Sequence, residues 1–224
     1  MLVSLQAVSK TYPITAGNEV NAVRDVTLNV ERGEFLVITG RSGSGKTTLL
    51  NLAAGLTKPT AGQVYLDGMN LWQIPDKQQS AVRNRKIGFI FQFPSLLPTL
   101  NVLENVALPT VFNSNHRAQP AVDRATELLR IVGLSDKLTA FPRQLSAGQQ
   151  QRVVIARSLI NQPEILMADE ATSDLDEQTE HEIMELLKEI HDKSDVTILL
   201  VTHTTQLVSY GTRALQMANG VLSG

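Results

Sequence analysis

Eight residues place the strongest constraint on the fold of this chain: GRSGSGKT, from Gly40 to Thr47. They match the pattern G-x-x-x-x-G-K-[ST], with the apolar run EFLVITG leading into them and the helix formers KTTLLNLAAG following. A strand that enters glycines and leaves as a helix aims backbone N–H groups and the positive end of a helix dipole at one point. The pattern predicts a phosphate-binding loop. The structural alternative is a plain connection in which Lys46 is merely exposed.

The residue types in this loop divide the work of binding a phosphate chain. Gly40, Gly43 and Gly45 let the backbone turn its N–H groups inward. Lys46 supplies a cation for the β- and γ-phosphates, and the Thr47 hydroxyl is a ligand for Mg²⁺. The residues expected to contact nucleotide here are Gly40, Arg41, Ser42, Gly43, Ser44, Gly45, Lys46, Thr47 and Thr48.

In ILMAD (165–169) four apolar residues are followed by an acid, Asp169, and Glu170 comes next. This run predicts a core strand, and parallel sheets bind ligands at the carboxyl ends of their strands. Asp169 is therefore expected to hold Mg²⁺ through water. Adjacent strand residues point to opposite sides, so Glu170 is expected to reach the water facing the γ-phosphate as general base. The alternative for both acids is the solvated start of a loop.

The composition excludes several classes of protein. With 20 basic and 22 acidic residues, the chain lacks the basic excess typical of broad nucleic-acid binding. The absence of cysteine excludes a disulfide scaffold, cysteine–zinc sites and thiol catalysis, and it fits a reducing compartment. The start, MLVSLQAVSK, does not resemble a signal peptide, and no apolar run approaches the length of a membrane span. We therefore expect any membrane role to come from a partner.

Strands alternate with helices through much of the chain, which predicts an α/β protein with a mostly parallel central sheet. The first 35 residues predict short strands and turns, with alternating apolar and polar side chains in AVRDVTLNV (22–30). KIGFIFQ (86–92) and DVTILLVTH (195–203) predict further strands. Asn219-Gly220 predicts a type I′ turn in a hairpin over 214–222.

Helical spacing of apolar residues marks three segments, 121–134, 149–160 and 176–192. In the first two of them, the side chains expected to face inward are Val122, Ala125, Leu128, Leu129, Val132, Val153, Ala156, Leu159 and Ile160.

A second small-residue stretch, LSAGQQQR (145–152), also precedes a helix. Ser146 with Gln149 three residues later is the pattern of a capping box. A capped helix start is also an anion site, because it offers N–H groups and a hydroxyl. The chain thus carries two candidate phosphate sites.

Taken together, these motifs resemble the ATPase domain of the ATP-binding cassette (ABC) family over essentially the whole chain. GRSGSGKT, the Gln92 of FIFQ, LSAGQQQR, ILMADE, SDLD (173–176) and the His203 of VTH occur in the family's order and rough spacing. RNRKIGFIFQFPSLLPTLNVLENVALP (83–109) is similar to the stand-alone ATPases of lipoprotein-release, macrolide-export and cell-division transporters.

The resemblance implies a P-loop NTPase core with an N-terminal antiparallel β subdomain and an inserted helical subdomain. Residues 1–224 are then a single nucleotide-binding domain. Its expected parts are 1–35 and 58–70 for the β subdomain, 36–57, 83–92 and 153–224 for the core, and 93–152 for the helical subdomain.

The resemblance also implies roles for single residues. Tyr12 stacks on adenine, Gln92 senses Mg²⁺ and the γ-phosphate, and His203 contacts the γ-phosphate. The alternative for Tyr12 is an ordinary half-buried strand tyrosine, and for His203 a structural histidine. The remaining histidines are expected to be solvated: His116, His181 and His191.

In the family the second small-residue stretch binds the nucleotide held by another copy of the chain. GRSGSGKT of one chain faces LSAGQ of its partner, so a head-to-tail homodimer encloses two ATP molecules, each with Mg²⁺. The implied contacts from the second loop are Ser146, Gly148 and Gln149. Asp174 and Asp176 belong to a loop that crosses to the other subunit. The structural alternative for Asp176 is an N-cap of the following helix, and the two roles are compatible.

The sequence departs from the family pattern at three positions, Ala147, Ala171 and Thr204. Ala147 replaces the first of two usual glycines, Ala171 a common proline and Thr204 a common aspartate. The turn after Glu170 is expected to be looser as a result. No catalytic group is lost, so we expect an active ATPase.

The resemblance implies a transporter motor, peripheral on the cytoplasmic face of the plasma membrane. A transmembrane permease docks near 92–105, a periplasmic adaptor is reached through it, and nucleic acid is not a partner. One alternative is a cell-division regulator that signals through a membrane partner. Another is a soluble DNA-repair or translation ATPase, which predicts a coiled-coil insertion or a tandem cassette that this sequence lacks.

Overall fold

A computed structural model describes residues 1–15, 18–112 and 118–224. These residues form two compact units: Met1–Arg83 with Thr197–Gly224, and Asn84–Val196. His116, which was expected to be solvated, lies outside the described residues.

The strands are Val3–Thr15 (β1), Asn18–Val30 (β2), Phe35–Thr39 (β3), Ala61–Leu66 (β4), Met69–Asn70 (β5), Ile87–Ile90 (β6), Ile165–Asp169 (β7), Thr197–Thr202 (β8), Arg213–Ala218 (β9) and Val221–Ser223 (β10). The α-helices are Lys46–Ala53 (α1), Asp76–Lys86 (α2), Val102–Ala107 (α3), Ala118–Ile131 (α4), Ala147–Leu159 (α5) and Glu177–Ser194 (α6).

The first unit contains an antiparallel sheet with the strand order β2-β1-β4-β5. Strands β1 and β2 have 13 residues each, so the prediction of short strands in this region was wrong. Their pairing continues through register shifts, and Ala7 and Asp25 have positive φ angles of 50° and 46°. Such bulges absorb extra residues without ending a strand. The predicted alternation is confirmed from Val26 through Leu28 to Val30, which are buried. It is interrupted at Asp25, because the irregularity there places the preceding buried side chain at Val23, three residues before Val26.

Strand β3 lies between two parallel neighbours in the first unit, β8 and β9. All five β3 residues are buried, as a continuous apolar run predicts for a strand covered on both faces. At its carboxyl end, Thr39 pairs with Thr202 of β8 and Gln216 of β9. The ends of the three strands therefore meet at one edge, where the chain continues into GRSGSGKT.

The predicted hairpin is present as β9 and β10, which pair in antiparallel fashion. Its two turn residues, Asn219 and Gly220, have φ angles of 51° and 81°. Both angles are positive, as a type I′ turn requires, and the Asn-Gly prediction is confirmed.

In the second unit, β6 and β7 pair in parallel, and α5 packs against β6. The inward face predicted for α5 is confirmed, because Val153, Ala156, Leu159 and Ile160 are buried. For α4, the inward face is confirmed for Ala125, Leu128, Leu129 and Val132.

Two predictions for the second unit were wrong. Val122 of α4 is 38 % exposed, and Ala121 is buried in its place, because the buried stripe of the helix begins one residue earlier. His191 was expected to be solvated but is buried near the end of α6, with Nδ1 2.8 Å from the carbonyl oxygen of Val196. This backbone partner satisfies a ring nitrogen away from water. His181 is exposed, as expected.

Within the three described ranges, no helix combines the length and the apolar character needed to span a membrane.

Candidate functional site

The phosphate loop connects β3 to α1 in the first unit. Its first residue, Gly40, donates its N–H to the carbonyl oxygen of Thr202 on β8, at 3.2 Å. Gly45 is the N-cap of α1, with φ 107°, and gives the helix no side-chain cap. A helix start without a side-chain acceptor suits a phosphate, whose oxygens can accept from the first-turn N–H groups.

Close packing makes glycine necessary at two positions of this loop. A Cβ atom on Gly40 would lie 2.3 Å from the carbonyl oxygen of Met217, on β9. A Cβ atom on Gly45 would lie 2.1 Å from the carbonyl oxygen of Ala22, on β2. The loop is therefore fitted between backbone from β2 and backbone from β9, which holds its N–H groups in a fixed arrangement.

Lys46 does not extend into solvent. Only 4 % of the residue is exposed, and Nζ donates to the carbonyl oxygens of Gly40 at 2.8 Å and Arg41 at 3.2 Å. The ammonium group thus lies over the loop that it follows, where an anion would meet it. This geometry excludes the alternative of a merely exposed lysine.

A buried hydroxyl in the same loop is left without a partner. Ser44 is 7 % exposed, and its Oγ makes no hydrogen bond within the described part of the protein. A cavity of about 350 Å³ borders the loop and is lined by residues 41–44 and 216–219. A buried polar atom without a partner is uncommon in a folded protein, and a polar ligand can satisfy it. Thr47 is exposed and Thr48 half-buried beside it.

His203 and Tyr12 belong to the same unit as the loop. His203 is exposed and directly follows β8, whose last residue, Thr202, accepts the Gly40 N–H bond. The structure therefore brings His203 to the edge at which the phosphate loop begins. Tyr12 lies on β1 opposite Val20 and is 39 % exposed, with Lys10 Nζ 4.9 Å from its ring centroid. The tyrosine is more exposed than the half-buried strand residue of the alternative interpretation.

Gln92, Asp169 and Glu170 lie in the second unit, just beyond the ends of β6 and β7. Ile90 pairs with Ala168, so the chain leaves both strands at the same edge, and all three side chains are half-buried. The argument from strand alternation does not hold for Glu170, because β7 ends at Asp169 and Glu170 has φ 46°. A left-handed backbone costs energy for a residue other than glycine and commonly marks a functional position.

The turn after Glu170 is closed by hydrogen bonds. The N–H and the hydroxyl of Ser173 both donate to the carbonyl oxygen of Glu170 at 3.1 Å, and Leu175 N–H donates to Thr172 at 3.1 Å. Ala171 is buried inside this turn. These hydrogen bonds close the turn, and a looser turn at Ala171 stays a prediction.

The second small-residue stretch forms the start of α5. Ser146 is its N-cap: Ser146 Oγ accepts from Gln149 N–H at 3.2 Å, and Gln149 Oε1 accepts from Ser146 N–H at 3.0 Å. The predicted capping box is confirmed. Ser146 is exposed, and its hydroxyl proton is not used by the cap. Gly148 is buried, and a Cβ atom there would lie 2.5 Å from Thr179 Cγ2 on α6.

Asp176 caps α6, which confirms the structural interpretation of this residue. Its carboxylate accepts from Thr179 N–H at 3.0 Å and from the Thr179 hydroxyl at 2.6 Å. These hydrogen bonds lower the pKa of Asp176, first through the hydroxyl and then through the backbone N–H. Asp174 is exposed.

Fold and loop geometry together define an α/β nucleotide-binding ATPase, and comparison with known proteins identifies its family. The model of the ABC transporter family matches residues 23–173. The chain belongs to the ABC transporter family, as the sequence motifs indicated, and it is an ATP-binding ATPase.

Similar proteins cover nearly the whole chain. A lipoprotein-releasing system ATP-binding protein, LolD 1 of Chlorobium chlorochromatii, is 40 % identical over 98 % of this chain and 89 % of its own length. The macrolide export ATP-binding/permease protein MacB of Rhodopirellula baltica is 38 % identical over 99 % of this chain, which matches 32 % of that longer protein.

The structure of the ATP-binding cassette MJ0796, dimeric and bound to ADP and Pi, superposes with a TM-score of 0.89. It is 40 % identical and covers 98 % of this chain and 95 % of its own. The antiparallel N-terminal sheet and the parallel-rich second sheet match the cassette fold.

The contact between the C-terminal hairpin and the phosphate loop is not predicted by any pattern in the sequence. Met217 belongs to no motif, and the Asn219-Gly220 motif predicts a turn but not its neighbours. Only the folded chain places the backbone of Met217 and Gly220 against Gly40 and Ser44.

Proposed function

We propose that the chain is the motor subunit of an ABC transporter that dimerises around two ATP molecules and drives a membrane permease. The observation that carries this proposal is the pair of helix starts at Gly45 and Ser146. Each is suited to a phosphate, yet only the first is followed by a lysine over the loop. In a head-to-tail dimer, the Gly45 helix start of one chain and the Ser146 helix start of its partner bind the same nucleotide.

Within each composite site, the phosphate loop takes the phosphate chain and Tyr12 stacks on adenine. Glu170 activates the attacking water as general base, and His203 contacts the γ-phosphate. Ser146 of the second chain donates its hydroxyl to the γ-phosphate, while Gly148 and Gln149 support that contact. Apart from Tyr12, each of these groups acts on the phosphates or on the attacking water. Hydrolysis and dimer closure therefore depend on the same ATP molecule.

Magnesium fits the donors that the chain offers. Thr47, Gln92 and Asp169 supply a hydroxyl, an amide oxygen and a carboxylate, which are the oxygen ligands that Mg²⁺ prefers. Across the ranges described, no three His, Asp or Glu side chains form a group that could enclose a metal ion. An ion held by few protein ligands and by ATP phosphates needs no such group. Bound Mg²⁺ neutralises charge that develops on the phosphates.

The energetics of closure favour ATP as the link between two copies. Hydrogen bonds to charged groups contribute about 1.5–3 kcal/mol each. A few such bonds at each of two sites offset an association cost of roughly 4–15 kcal/mol. Loss of the γ-phosphate removes those bonds, and the dimer opens.

The permease is proposed to dock near residues 92–105, at the inner face of its membrane, and a periplasmic adaptor is reached through it. Phe93 is 66 % exposed and Leu97 is also exposed, so this segment offers apolar surface to a partner. The names of the similar proteins, lipoprotein release and macrolide export, support a role in export or in release of lipoprotein-, peptide- or macrolide-type cargo.

Size-exclusion chromatography of Glu170→Gln with ATP and Mg²⁺ tests the proposal. The isosteric amide should bind ATP but hydrolyse it roughly 10²–10⁴-fold more slowly, because the general base is lost. The ATP-bound dimer should therefore accumulate, whereas the same variant with ADP should elute as a monomer. The matched control Glu185→Gln changes an exposed carboxylate of α6 and should behave as the parent chain. A Glu170→Gln chain that stays monomeric in ATP at high protein concentration would contradict the proposal.

A further inference from the structure

Helix α5 holds a distant loop through one half-buried cation, Arg157. Arg157 donates from Nη1 to the carbonyl oxygen of Ser95 at 2.9 Å and from Nη2 to that of Pro94 at 3.0 Å. Burial lowers the pKa of this guanidinium, and no carboxylate pairs with it anywhere in the described chain. Burying a cation without a counter-ion is costly, and removing these contacts would leave two carbonyls to find new partners.

The loop that Arg157 holds has an irregular backbone. Ser95 has φ 46°, and its hydroxyl donates to the carbonyl oxygen of Phe93 at 3.1 Å. Leu97 is held by the buried Asn105 of α3. Leu97 N–H donates to Asn105 Oδ1 at 2.8 Å, and Asn105 Nδ2 donates to the carbonyl oxygen of Leu97 at 3.1 Å. The backbone of 93–97 is thus secured by side chains from two helices. The exposed side chains of Phe93 and Leu97 are presented by that secured backbone.

Arg157 lies on the helix that begins at Ser146. Eleven residues separate them, which is about 16 Å along an α-helix. A hydrogen-bonded helix moves as a rigid element, so a displacement at its first turn also displaces Arg157. The two Arg157 bonds then pass that displacement to Pro94 and Ser95.

We propose that Arg157 is the positioning residue through which α5 sets the conformation of segment 93–97, so that ATP contact at Ser146 reaches the exposed Phe93 and Leu97. This inference rests on the proposed ATP-dependent dimer and adds the residue that links its closure to the partner-facing loop.

Hydrogen exchange measured by mass spectrometry tests the link, in the Glu170→Gln background with and without ATP and Mg²⁺. Arg157→Met keeps the side-chain length and removes both hydrogen bonds, and Arg157→Lys keeps the charge without the two-pronged fork. The matched control is Arg152→Met, on the same helix. Arg152 contacts Val132 O and Glu182 Oε2 and makes no bond to segment 93–97.

In Glu170→Gln, ATP should change exchange at the amides of Ser95, Leu96 and Leu97. Arg157→Met should exchange there about tenfold faster without nucleotide and should lose the ATP-dependent change, because the link is broken. ATP affinity should stay within about threefold of the background, since the phosphate loop is untouched. Arg152→Met should keep the ATP-dependent change, and Arg157→Lys should keep part of it.

Several results would overturn the inference. The first is a Glu170→Gln dimer in which ATP does not change hydrogen exchange at residues 95–97. The second is an ATP-dependent change in Arg157→Met as large as in the Glu170→Gln background. The third is hydrogen exchange that is equally faster throughout α5 and 93–97 in Arg157→Met and Arg152→Met. The last result would make Arg157 merely structural. If Arg157→Met does not fold, Arg157→Lys decides, and a full ATP-dependent change in it counts against the inference. Failure of Glu170→Gln to dimerise would instead count against the proposed function.

Discussion

The backbone N–H of Gly220 donates to the carbonyl oxygen of Ser44 at 2.9 Å, which joins the turn of the C-terminal hairpin to the phosphate loop. The carbonyl oxygen of Gly220 accepts from Arg24 N–H at 2.8 Å, on β2. One turn residue thus connects the loop to the antiparallel sheet of the first unit.

Gly220→Val should weaken ATP binding by roughly tenfold, because a β-branched residue resists φ 81° and its Cβ would lie 3.1 Å from the carbonyl oxygens of Asn21 and Ala22. Displacing the turn removes the bond to Ser44. Isothermal titration calorimetry measures the affinity. Asn219→Asp is the control, since Asp-Gly also forms a type I′ turn and should bind ATP normally. Equal affinity in all three chains would remove the hairpin from the support of the loop.

Lys46→Ala should abolish ATP hydrolysis and weaken nucleotide binding. The substitution removes the cation and both bonds to the carbonyl oxygens of Gly40 and Arg41. Steady-state turnover and circular dichroism measure activity and fold. Lys58→Ala, at an exposed lysine, should keep the parent turnover. Parent turnover in Lys46→Ala would remove this lysine from the site.

Ser146→Arg should spare ATP binding by the monomer and block turnover, because a bulky side chain fills the place of the partner's γ-phosphate. Ser146→Ala provides the comparison, since losing the cap alone costs about 1 kcal/mol of stability. Thermal melting and turnover separate the two effects. If the serine is only a cap, both variants should lose stability and keep turnover per folded molecule.

A tethered pair of variants tests whether each site is shared between chains. One Lys46→Ala chain joined to one Ser146→Arg chain has a single intact composite site, built from the sound half of each. Partial hydrolysis should result, although neither half is active as a homodimer. Full turnover by the Ser146→Arg homodimer would contradict the shared arrangement.

Tyr12→Ala should raise the dissociation constant for ATP, since base–aromatic stacking contributes about 1–3 kcal/mol. Tyr12→Phe keeps the ring and should bind ATP as the parent chain does. Pyrophosphate carries no base, so its affinity should be the same in all three. A Tyr12→Ala chain that binds ATP normally would favour a purely structural tyrosine.

The stability contributed by Asp176 should depend on pH. Hydrogen bonds from Thr179 lower the pKa of this carboxyl in the folded chain, so its charged form favours folding. The contribution is fully present above the unfolded pKa of about 3.9 and is lost as the pH falls through the lower folded value. Melting temperatures of the parent chain and Asp176→Asn should therefore differ at neutral pH and converge in acid. A difference that is constant down to pH 2 would contradict this assignment.

The sequence predicted the features of this protein that depend only on a few neighbouring residues. The phosphate loop, the Ser146 cap and the Asn219-Gly220 turn are each specified within a few neighbouring residues, and the structure has all three. Burial of His191 and exposure of Val122 depend on what packs against their helices, which a single helical pattern does not contain. The left-handed Glu170 depends on the turn that follows it.

Backbone contacts between distant segments escaped prediction for a related reason. Met217 acts on Gly40 through its carbonyl oxygen, and Arg157 acts on Pro94 and Ser95 through theirs. Every residue has the same backbone carbonyl group, so the residue type does not indicate which carbonyl oxygen will make a long-range contact.

We expect the fit of the phosphate loop between Ala22 and Met217 to affect the order in which this protein folds. These residues lie far apart in the sequence, and long-range contacts form late because loop closure must come first. We expect the loop to reach its binding shape only after β2 and β9 have both been placed against it. ATP binding during refolding should therefore appear only when the first unit is complete. A folding intermediate in which β9 has not yet paired should not bind ATP.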